Sequence, residues 1–307
     1  MMKKGSTILM VRPRAFGFNA ETAENNFFQS NPSDQSTESI QQKALTEFDA
    51  MVFVLQKNGI EVMLIEDTNE PVKPDAIFPN NWFCSLENGT ICVFPMYAKN
   101  RREEKRDDII NLLTEKYTVT DFQDWSEFEA EGRFLEGTGS MMIDQENNII
   151  YACLSERTDA SVLEKFASRN GYNAMSFTAT DKEGRKIYHT NVMMCLAEKF
   201  SILCEEAIED ETEKIALKQL LLTTGKKIIS ISREQVAAFA GNMLELYNRN
   251  GESILVMSKT AFDSLNADQI LEIEKFSKPL PISVPTIEQV EGGSVRCMIA
   301  EIFLGQK

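Results

Sequence analysis

The sequence contains one histidine, His189, and no long apolar stretch. Each of these shortages limits the classes of protein that the chain can belong to. A transmembrane helix needs about 20 consecutive apolar residues, and no segment of the 307 residues approaches that length. The short apolar run near the N-terminus ends at Arg12-Pro13, too early for a secretory signal peptide. We therefore expect a soluble cytoplasmic protein that does not associate with membranes.

Basic residues are also in the minority. The chain has 32 lysines and arginines against 47 aspartates and glutamates, which gives a formal net charge of −15. Nucleic acids and anionic membranes attract basic surfaces, so the charge argues against both as partners. Apolar residues make up 43% of the chain, which is enough for a complete hydrophobic core.

The six cysteines form no motif for metal binding or redox chemistry. No Cys-x-x-Cys pair is present, and no cysteine has a zinc-like spacing to the histidine. Several lie within apolar runs, such as 91–94 and 202–204, where reduced core residues are expected. The sequence therefore predicts neither a metal ion nor another cofactor.

Cys297 is set apart from the other cysteines by its neighbours. It follows Gly292-Gly293 and precedes the apolar run 298–304. The two glycines let a ligand approach the backbone, and a buried strand behind them would hold the sulfur in place. Most buried cysteines are small core residues, but a thiol beside a histidine is an activated nucleophile. His189 is the one histidine available for that role.

The chain repeats one order of elements with a period of about 55 residues. A segment with Gly or Asn leads into a strand, a tight turn, a second strand, a helix and a third strand, and a new copy begins near residues 78, 134, 188, 239 and 292. Such a period marks repeated supersecondary units. The N-terminal strand 8–12 and helix 39–58 would complete the fifth unit, and residues 60–65 are a further predicted strand. We predict a single α/β domain over residues 1–307, with further helices near 101–116, from 160, at 211–224 and at 259–276.

One polar residue recurs at the same place in each unit. The steps from Asn81 to Glu136, His189, Asn242 and Cys297 are 55, 53, 53 and 55 residues. If the units close into a ring, these side chains meet in a central cavity. A preference of Asn for turns accounts for the asparagines but not for the other three. We predict Cys297 as nucleophile, His189 as general acid and then base, and Glu136 as the carboxylate that orients the imidazole.

The predicted pocket contains more neutral amides than carboxylates. A guanidinium only donates hydrogen bonds and favours carboxylates, whereas a ureido group both donates and accepts. Asn80, Asn81, Asn191 and Asn242 therefore suit a ureido group better, and Asp75 is the remaining candidate carboxylate.

An amino-acid substrate would also need cations for its α-carboxylate. The candidates follow the hairpins of the first two units: Arg101, Arg102 and Arg157. For each of them taken alone, a solvated position at a helix start is the alternative.

These motifs resemble those of the guanidino-group-modifying superfamily, which includes arginine deiminase, dimethylarginine dimethylaminohydrolase, succinylarginine dihydrolase and the amidinotransferases. The matching strings are Leu-Glu-Gly-Thr-Gly at 135–139, His-Thr-Asn at 189–191 and Gly-Gly-Ser-Val-Arg-Cys-Met at 292–298. The resemblance covers essentially the whole chain and implies a pentein fold, a five-bladed pseudo-symmetric α/β propeller of ββαβ repeats, with a covalent thiol mechanism that needs no metal.

Within that superfamily the chain is most similar to the bacterial citrulline-utilisation hydrolases, through the strings at 11–13, 78–82, 100–102, 135–140, 188–192 and 294–298. It departs from arginine deiminases at Asn81 and Asn191, where those enzymes have aspartates. Glu291 stands where a third glycine is usual.

We therefore expect a hydrolase that converts citrulline to ornithine, ammonia and carbon dioxide. The alternatives are a guanidino hydrolase like arginine deiminase or dimethylarginine dimethylaminohydrolase, an amidinotransferase, and a non-catalytic binding protein, since a ribosome anti-association factor shares the pentein ring. The oligomeric state stays open between monomer and homodimer. The polar segment 20–36 is a candidate lid.

Overall fold

The computed structural model describes residues 5–32 and 34–307. The strands are β1 (Thr7–Arg12), β2 (Glu61–Glu66), β3 (Phe83–Ser85), β4 (Thr90–Val93), β5 (Tyr117–Thr118), β6 (Asp121–Asp124), β7 (Met141–Asp144), β8 (Ile149–Cys153), β9 (Asn173–Phe177), β10 (Met194–Leu196), β11 (Phe200–Leu203), β12 (Lys227–Ser230), β13 (Leu244–Tyr247), β14 (Ser253–Ser258), β15 (Lys278–Ile282), β16 (Ala300–Ile302) and β17 (Gly305–Gln306).

The helices are α1 (Thr37–Lys57), α2 (Asp107–Lys116), α3 (Gly137–Ser140), α4 (Ala160–Asn170), α5 (Thr190–Met193), α6 (Glu211–Thr223), α7 (Arg233–Ala237), α8 (Lys259–Ser264), α9 (Ala267–Glu274) and α10 (Pro285–Glu291). Within the described ranges, no helix is both long and apolar enough to cross a membrane.

Five three-stranded sheets share one topology. In each sheet the central strand pairs antiparallel with one neighbour and parallel with the other, and the orders are β3-β4-β6, β7-β8-β9, β10-β11-β12, β13-β14-β15 and β16-β1-β2. The last sheet joins the two ends of the chain, with Leu9 opposite Ala300. The α/β class is confirmed, and the recurring unit lies where the period predicts it.

Helix α1 shows how a helix is attached to its sheet. Its buried residues recur every three or four positions and form one face: Ile40, Ala44, Phe48, Met51, Val52 and Leu55. The helix packs against β1, β2 and α10. The last residue of α10 leads directly into Gly292, so this packing also positions the segment that carries Cys297.

Short helical turns precede the first strands of four sheets. They are the 3₁₀ turn Pro79–Asn81, α3, α5 and the 3₁₀ turn Val295–Met298. Helix α3 contacts the first of these turns and α5, and the two 3₁₀ turns contact each other. Four of the five residues that the 55-residue period singles out, all but Asn242, lie in or beside these turns, so the contacts bring distant parts of the sequence together.

Several predicted boundaries are wrong, and local hydrogen bonding explains them. The predicted helix 259–276 is two helices because Asn266 caps α9 through reciprocal bonds with Gln269. The predicted helix 101–116 begins as the separate 3₁₀ turn Asn100–Glu104 before α2. Helices α7 and α10 have seven residues or fewer and were not predicted.

The predicted strands around the site also begin too early. Apolar residues from Val192 onward read as a strand, but α5 continues to Met193. Cys297 lies in a 3₁₀ turn, and β16 begins only at Ala300. The thiol therefore sits on a tight turn before the strand rather than at the strand's own end.

Glycine permits the closest approaches between the turns. A Cβ atom on Gly137 would lie 2.4 Å from the backbone oxygen of Asn80, and one on Gly241 would lie 2.3 Å from that of Val192. Gly137 also has a φ of 46°, which other residues rarely adopt. The neighbouring backbones could not keep these positions beside a larger residue.

We expect Gly241→Ala to destabilise the fold by about 1–3 kcal/mol, the usual cost of overpacking a close contact. The midpoint of urea unfolding measures this, and it should fall. Gly305→Ala is the matched control, because nothing lies within 4 Å of the added atom. An unchanged midpoint for Gly241→Ala would contradict the close approach of the two turns.

Candidate active site

Two asparagine amides contact the sulfur of Cys297. Asn242 Nδ2 donates to Sγ at 3.2 Å, and Asn191 Nδ2 lies 3.5 Å from it. Asn242 also accepts a hydrogen bond from the backbone N–H of Arg296 at 3.0 Å, so it holds the turn as well as the sulfur. N–H donors directed at the sulfur stabilise negative charge on it, which is the form of the thiol that attacks carbon.

His189 and Glu136 form a buried pair, as the sequence predicts. Nε2 of His189 lies 2.7 Å from Oε2 of Glu136, and the two side chains are 3% and 0% exposed. The other carboxylate oxygen accepts the backbone N–H of Tyr97 at 2.9 Å. Because Nε2 is engaged by the carboxylate, Nδ1 is the nitrogen that can exchange protons with a ligand.

Gly139 allows His189 to approach Asn81. A Cβ atom at this position would lie 2.9 Å from Nδ1 of His189 and 2.5 Å from Nδ2 of Asn81. The glycine-rich string beside Glu136 therefore serves the packing of the site.

The charges around the pair keep Glu136 ionised. Burial disfavours the carboxylate, but Arg157, His189 and Arg101 outweigh it, and its pKa falls from 4.5 to about 2. A group whose folded pKa is depressed stabilises the fold above its unfolded pKa, so this contribution is lost as the pH falls from about 4.5 to about 2. Burial lowers the pKa of His189, and the two arginines add to this while Glu136 opposes it.

Arg157 is buried at the edge of this pair. Its Nη1 lies 3.6 Å from Oε2 of Glu136, and its Nη2 donates to the backbone oxygen of Thr22 at 3.0 Å. Its Nε donates to Oδ1 of Asn25 at 2.8 Å, and its guanidinium lies 4.8 Å above the ring of Tyr188. The predicted role of Arg157 in binding an α-carboxylate stays a prediction.

Arg101 has a structural role that its sequence position did not indicate. It forms a two-pronged pair with Glu104 at 2.8 and 2.9 Å and donates to Oδ1 of Asn81 at 2.9 Å. It also lies 3.4 Å from Asp75. Arg101 therefore fixes the Asn81 amide, and Glu104, three residues along a charged string, is a contributor that the sequence interpretation missed.

Arg102 lies apart from these contacts. Its guanidinium donates to the backbone oxygen of Met96 at 3.1 Å, lies 3.4 Å from Glu129 and stands over the ring of Phe134. Met96 follows β4, and Glu129 and Phe134 lie between β6 and β7. None of these contacts is with Cys297, His189 or Glu136.

Several buried amide groups of the site have no hydrogen-bond partner. They are the Oδ1 and Nδ2 atoms of Asn80, the Nδ2 atom of Asn81 and the Oδ1 atom of Asn191. Buried polar atoms are nearly always paired, so these unpaired atoms are available to a polar ligand. Among the described residues, no group of three or more His, Cys, Asp or Glu side chains is arranged to hold a metal ion.

Part of the candidate lid lies against the site. In addition to the contacts of Thr22 and Asn25 with Arg157, Asn26 donates to the backbone oxygen of Glu291 at 2.9 Å, and Gln29 donates to its side chain at 2.7 Å. No periodic pattern covers this segment, so no sequence signal indicates these individual contacts. Residue 33 of the candidate lid lies outside the described residues.

Because the chain has one histidine, the effect of Glu136 on the pKa of His189 can be measured directly. Glu136→Gln removes the carboxylate that favours the imidazolium, so the pKa of His189 should fall below its wild-type value, which already lies below 6.5. An NMR titration of an untagged protein needs no assignment, because one histidine is present. Glu131→Gln, an exposed carboxylate, is the control. A rise in the pKa of His189 in Glu136→Gln would refute the pairing.

Solved structures of other proteins share this fold. The N-terminal domain of ArgZ bound to product, from an arginine dihydrolase of the ornithine–ammonia cycle in cyanobacteria, is 17% identical with a TM-score of 0.75, and the match covers 97% of each chain. Full-length ArgZ gives 17% identity and a TM-score of 0.74, covering 96% of this chain and 40% of that one. A dimethylarginine dimethylaminohydrolase adduct with S-methyl-L-thiocitrulline gives 14% and 0.66, covering 97% and 100%.

At these identities the solved structures establish the fold alone. The present chain thus spans less than half of full-length ArgZ but nearly all of its N-terminal domain. No curated protein sequence matches the chain.

A match to a family model assigns the chain to a family. The model described as "N,N dimethylarginine dimethylhydrolase, eukaryotic" matches residues 12–304, which is nearly the entire chain and includes Glu136, His189 and Cys297. The protein therefore belongs to the N,N-dimethylarginine dimethylhydrolase family.

Proposed function

We propose that the protein hydrolyses the ureido group of citrulline, giving ornithine, ammonia and carbon dioxide. The observation that carries this proposal is the set of neutral amides at the thiol. Asn191 and Asn242 contact the sulfur, and Asn80 and Asn81 have amide atoms without partners. A ureido group offers one acceptor and several N–H donors, and amides can satisfy both.

The same geometry supports a covalent route. The thiolate of Cys297 attacks the ureido carbon, and His189, which holds the thiol's proton, gives it to the nitrogen that leaves. The neutral imidazole then removes a proton from water, which attacks the carbon bound to sulfur. The C–S bond breaks, the thiolate returns, and the carbamic acid decomposes to carbon dioxide and the second amine. One water is consumed for each citrulline.

Glu136 acts in both halves of this route. Its carboxylate accepts from Nε2 and stabilises the imidazolium that forms when His189 takes a proton. The buried Arg157 lies next to it and is the candidate for the substrate's α-carboxylate, because its present partners Thr22 and Asn25 belong to the candidate lid.

We also interpret the five sheets as the blades of one closed propeller domain, with the site near its axis. Contacts of β7 with β10, β10 with β13, β14 with the Val295–Met298 turn, β16 with β3 and α3 with the Pro79–Asn81 turn support a closed ring.

Arginine is the second candidate substrate. The family model is described for a methylated arginine, and ArgZ is described as an arginine dihydrolase. The buried carboxyl groups of Asp75 and Glu291 are the local feature that favours a cationic substrate. Family membership speaks against a non-catalytic binding protein.

Turnover of citrulline and arginine, measured side by side, tests the proposal. We expect ornithine and ammonia from citrulline, and at least about a 10³-fold loss of rate in Cys297→Ala, since the nucleophile is essential. Cys204→Ala, which removes a buried thiol outside the site, is the control and should retain activity. Turnover of arginine without turnover of citrulline would contradict the ureido assignment. Equal rates in Cys297→Ala would contradict the nucleophile.

A further inference from the structure

Glu288 is a buried carboxyl group that the proposed mechanism does not use. It is 4% exposed. Its Oε1 accepts a hydrogen bond from the hydroxyl of Ser294 at 2.7 Å, and its Oε2 accepts one from the hydroxyl of Thr260 at 2.6 Å. Burial raises the pKa of Glu288, the surrounding hydroxyl groups oppose this, and the charge of Glu47 adds to the rise. Burying a carboxyl group costs free energy, so its placement indicates a role beyond stabilising the fold.

Glu288 holds the chain on both sides of the pair Gly292-Gly293. Its backbone oxygen accepts the N–H of Gly292 at 3.0 Å, and its side chain accepts the hydroxyl of Ser294. Gly292 has a φ of 62°, a conformation that glycine adopts more readily than other residues. Two successive glycines leave the backbone a wide range of conformations, so Ser294 needs a fixed point outside this segment. The carboxyl group of Glu288 supplies it.

Ser294 begins the turn that carries Cys297. It is fully buried, it directly precedes the 3₁₀ turn Val295–Met298, and its backbone oxygen accepts the N–H of Cys297 at 3.0 Å. A serine at the start of a helix usually accepts a hydrogen bond from a backbone N–H of that helix. The hydroxyl of Ser294 instead donates to Glu288. The first residue of the nucleophile's turn is thereby tied to α10.

Further contacts fix Glu288 itself. Thr260, whose hydroxyl donates to Glu288, lies in α8 directly after β14, and β14 contacts the Val295–Met298 turn. At the start of α10, two backbone N–H groups donate to the carboxylate of Glu47 from α1. Glu288 therefore stands on an anchored helix and can hold the turn with Cys297 in one position.

We propose that Glu288 is a positioning residue for the reaction and acts through the hydroxyl of Ser294. This hydrogen bond keeps the sulfur of Cys297 against the amides of Asn191 and Asn242. The inference rests on the proposed role of Cys297 as nucleophile, but on no particular substrate. A displacement of about 1 Å at a reacting atom costs on the order of 100-fold in rate. A displaced sulfur would also lose the N–H donors that stabilise its negative charge.

The test measures kcat and KM in Ser294→Ala, in Glu288→Leu and in the double variant, with whichever of citrulline and arginine the wild type turns over. Each single substitution breaks the same hydrogen bond and should lower kcat about 10- to 100-fold. KM should change less than about threefold, because the bond acts on the sulfur and not on the substrate. The double variant should be no slower than the slower single variant.

Matched variants separate this role from a general loss of stability. Ser230→Ala removes a similar hydroxyl–carboxyl hydrogen bond, 2.6 Å long, from Glu205 in another sheet, and it should keep both constants. Glu288→Gln retains an oxygen that can accept the hydroxyl of Ser294, so it should recover most of the kcat that Glu288→Leu loses. Ser294→Ala removes a single atom and carries the test should Glu288→Leu not fold.

Two kinetic results would overturn the positioning role. One is a wild-type kcat in Ser294→Ala. The other is a double variant in which the losses of the two single variants multiply, because Glu288 and Ser294 would then act independently.

Alkylation of Cys297 by iodoacetamide gives a readout that needs no substrate. The rate is followed by mass spectrometry of the peptide that contains Cys297. Because the thiolate is the form that reacts, a sulfur without its amide contacts should react about tenfold more slowly in Ser294→Ala and Glu288→Leu. A purely structural role predicts the opposite, since a loosened turn would expose the buried thiol. Unchanged or faster alkylation would therefore overturn the proposal.

The proposed function and this inference can fail separately. If the wild type turns over neither substrate, or if Cys297→Ala retains activity, the proposed function fails. Slower alkylation in Ser294→Ala would still support the positioning of the thiol by Glu288. Conversely, loss of turnover in Cys297→Ala together with wild-type kcat and alkylation in Ser294→Ala would leave the proposed function standing and overturn the role of Glu288.

Discussion

The ionised carboxylate of Glu136 is fully buried, and the site is arranged to keep it charged. Removing a carboxylate from water costs several kcal/mol unless hydrogen bonds and opposite charges offset the loss. The offset comes from the N–H of Tyr97, from His189 and from Arg157. These groups precede or follow different strands of three neighbouring sheets, so the charge is tolerated only when the sheets are assembled. Fold and chemistry therefore depend on the same contact.

The polar groups of the site divide by charge. Two neutral amides contact the sulfur of Cys297, whereas the ionisable groups His189 and Glu136 form a buried pair with each other. The amides also suit negative charge on sulfur, so under the proposed function the same side chains would recognise the substrate and activate the thiol.

Periodicity explains what the sequence could predict. A constant step of 53–55 residues places one side chain at the start of each unit, and the structure pairs two of these, His189 and Glu136, and a further two, Cys297 and Asn242. The spacing predicts these contacts because each unit forms the same three-stranded sheet, whichever side chains lie between the repeated positions. It gives no information on segments outside the repeat, and for that reason the contacts of Asn25 and Gln29 were not foreseen.

Other details depend on side-chain direction, which spacing does not encode. Arg101 and Arg102 are adjacent in sequence, yet one holds Asn81 and the other packs near Phe134. The apolar run from Val192 fits a strand as well as a helical turn. In the structure its first residues belong to α5, which packs closely against the neighbouring turn α3. The departure at Glu291 was visible in the sequence, but its burial and its contacts with Asn26 and Gln29 were not.

The most direct test of the central claim follows the ureido carbon. The protein is mixed with citrulline that carries heavy carbon at the ureido position, quenched in acid within one turnover, and digested for mass spectrometry. The account predicts the label on the peptide that contains Cys297 and on no other cysteine peptide. Turnover without a labelled cysteine, or with the label on a different cysteine, would contradict a covalent mechanism at Cys297.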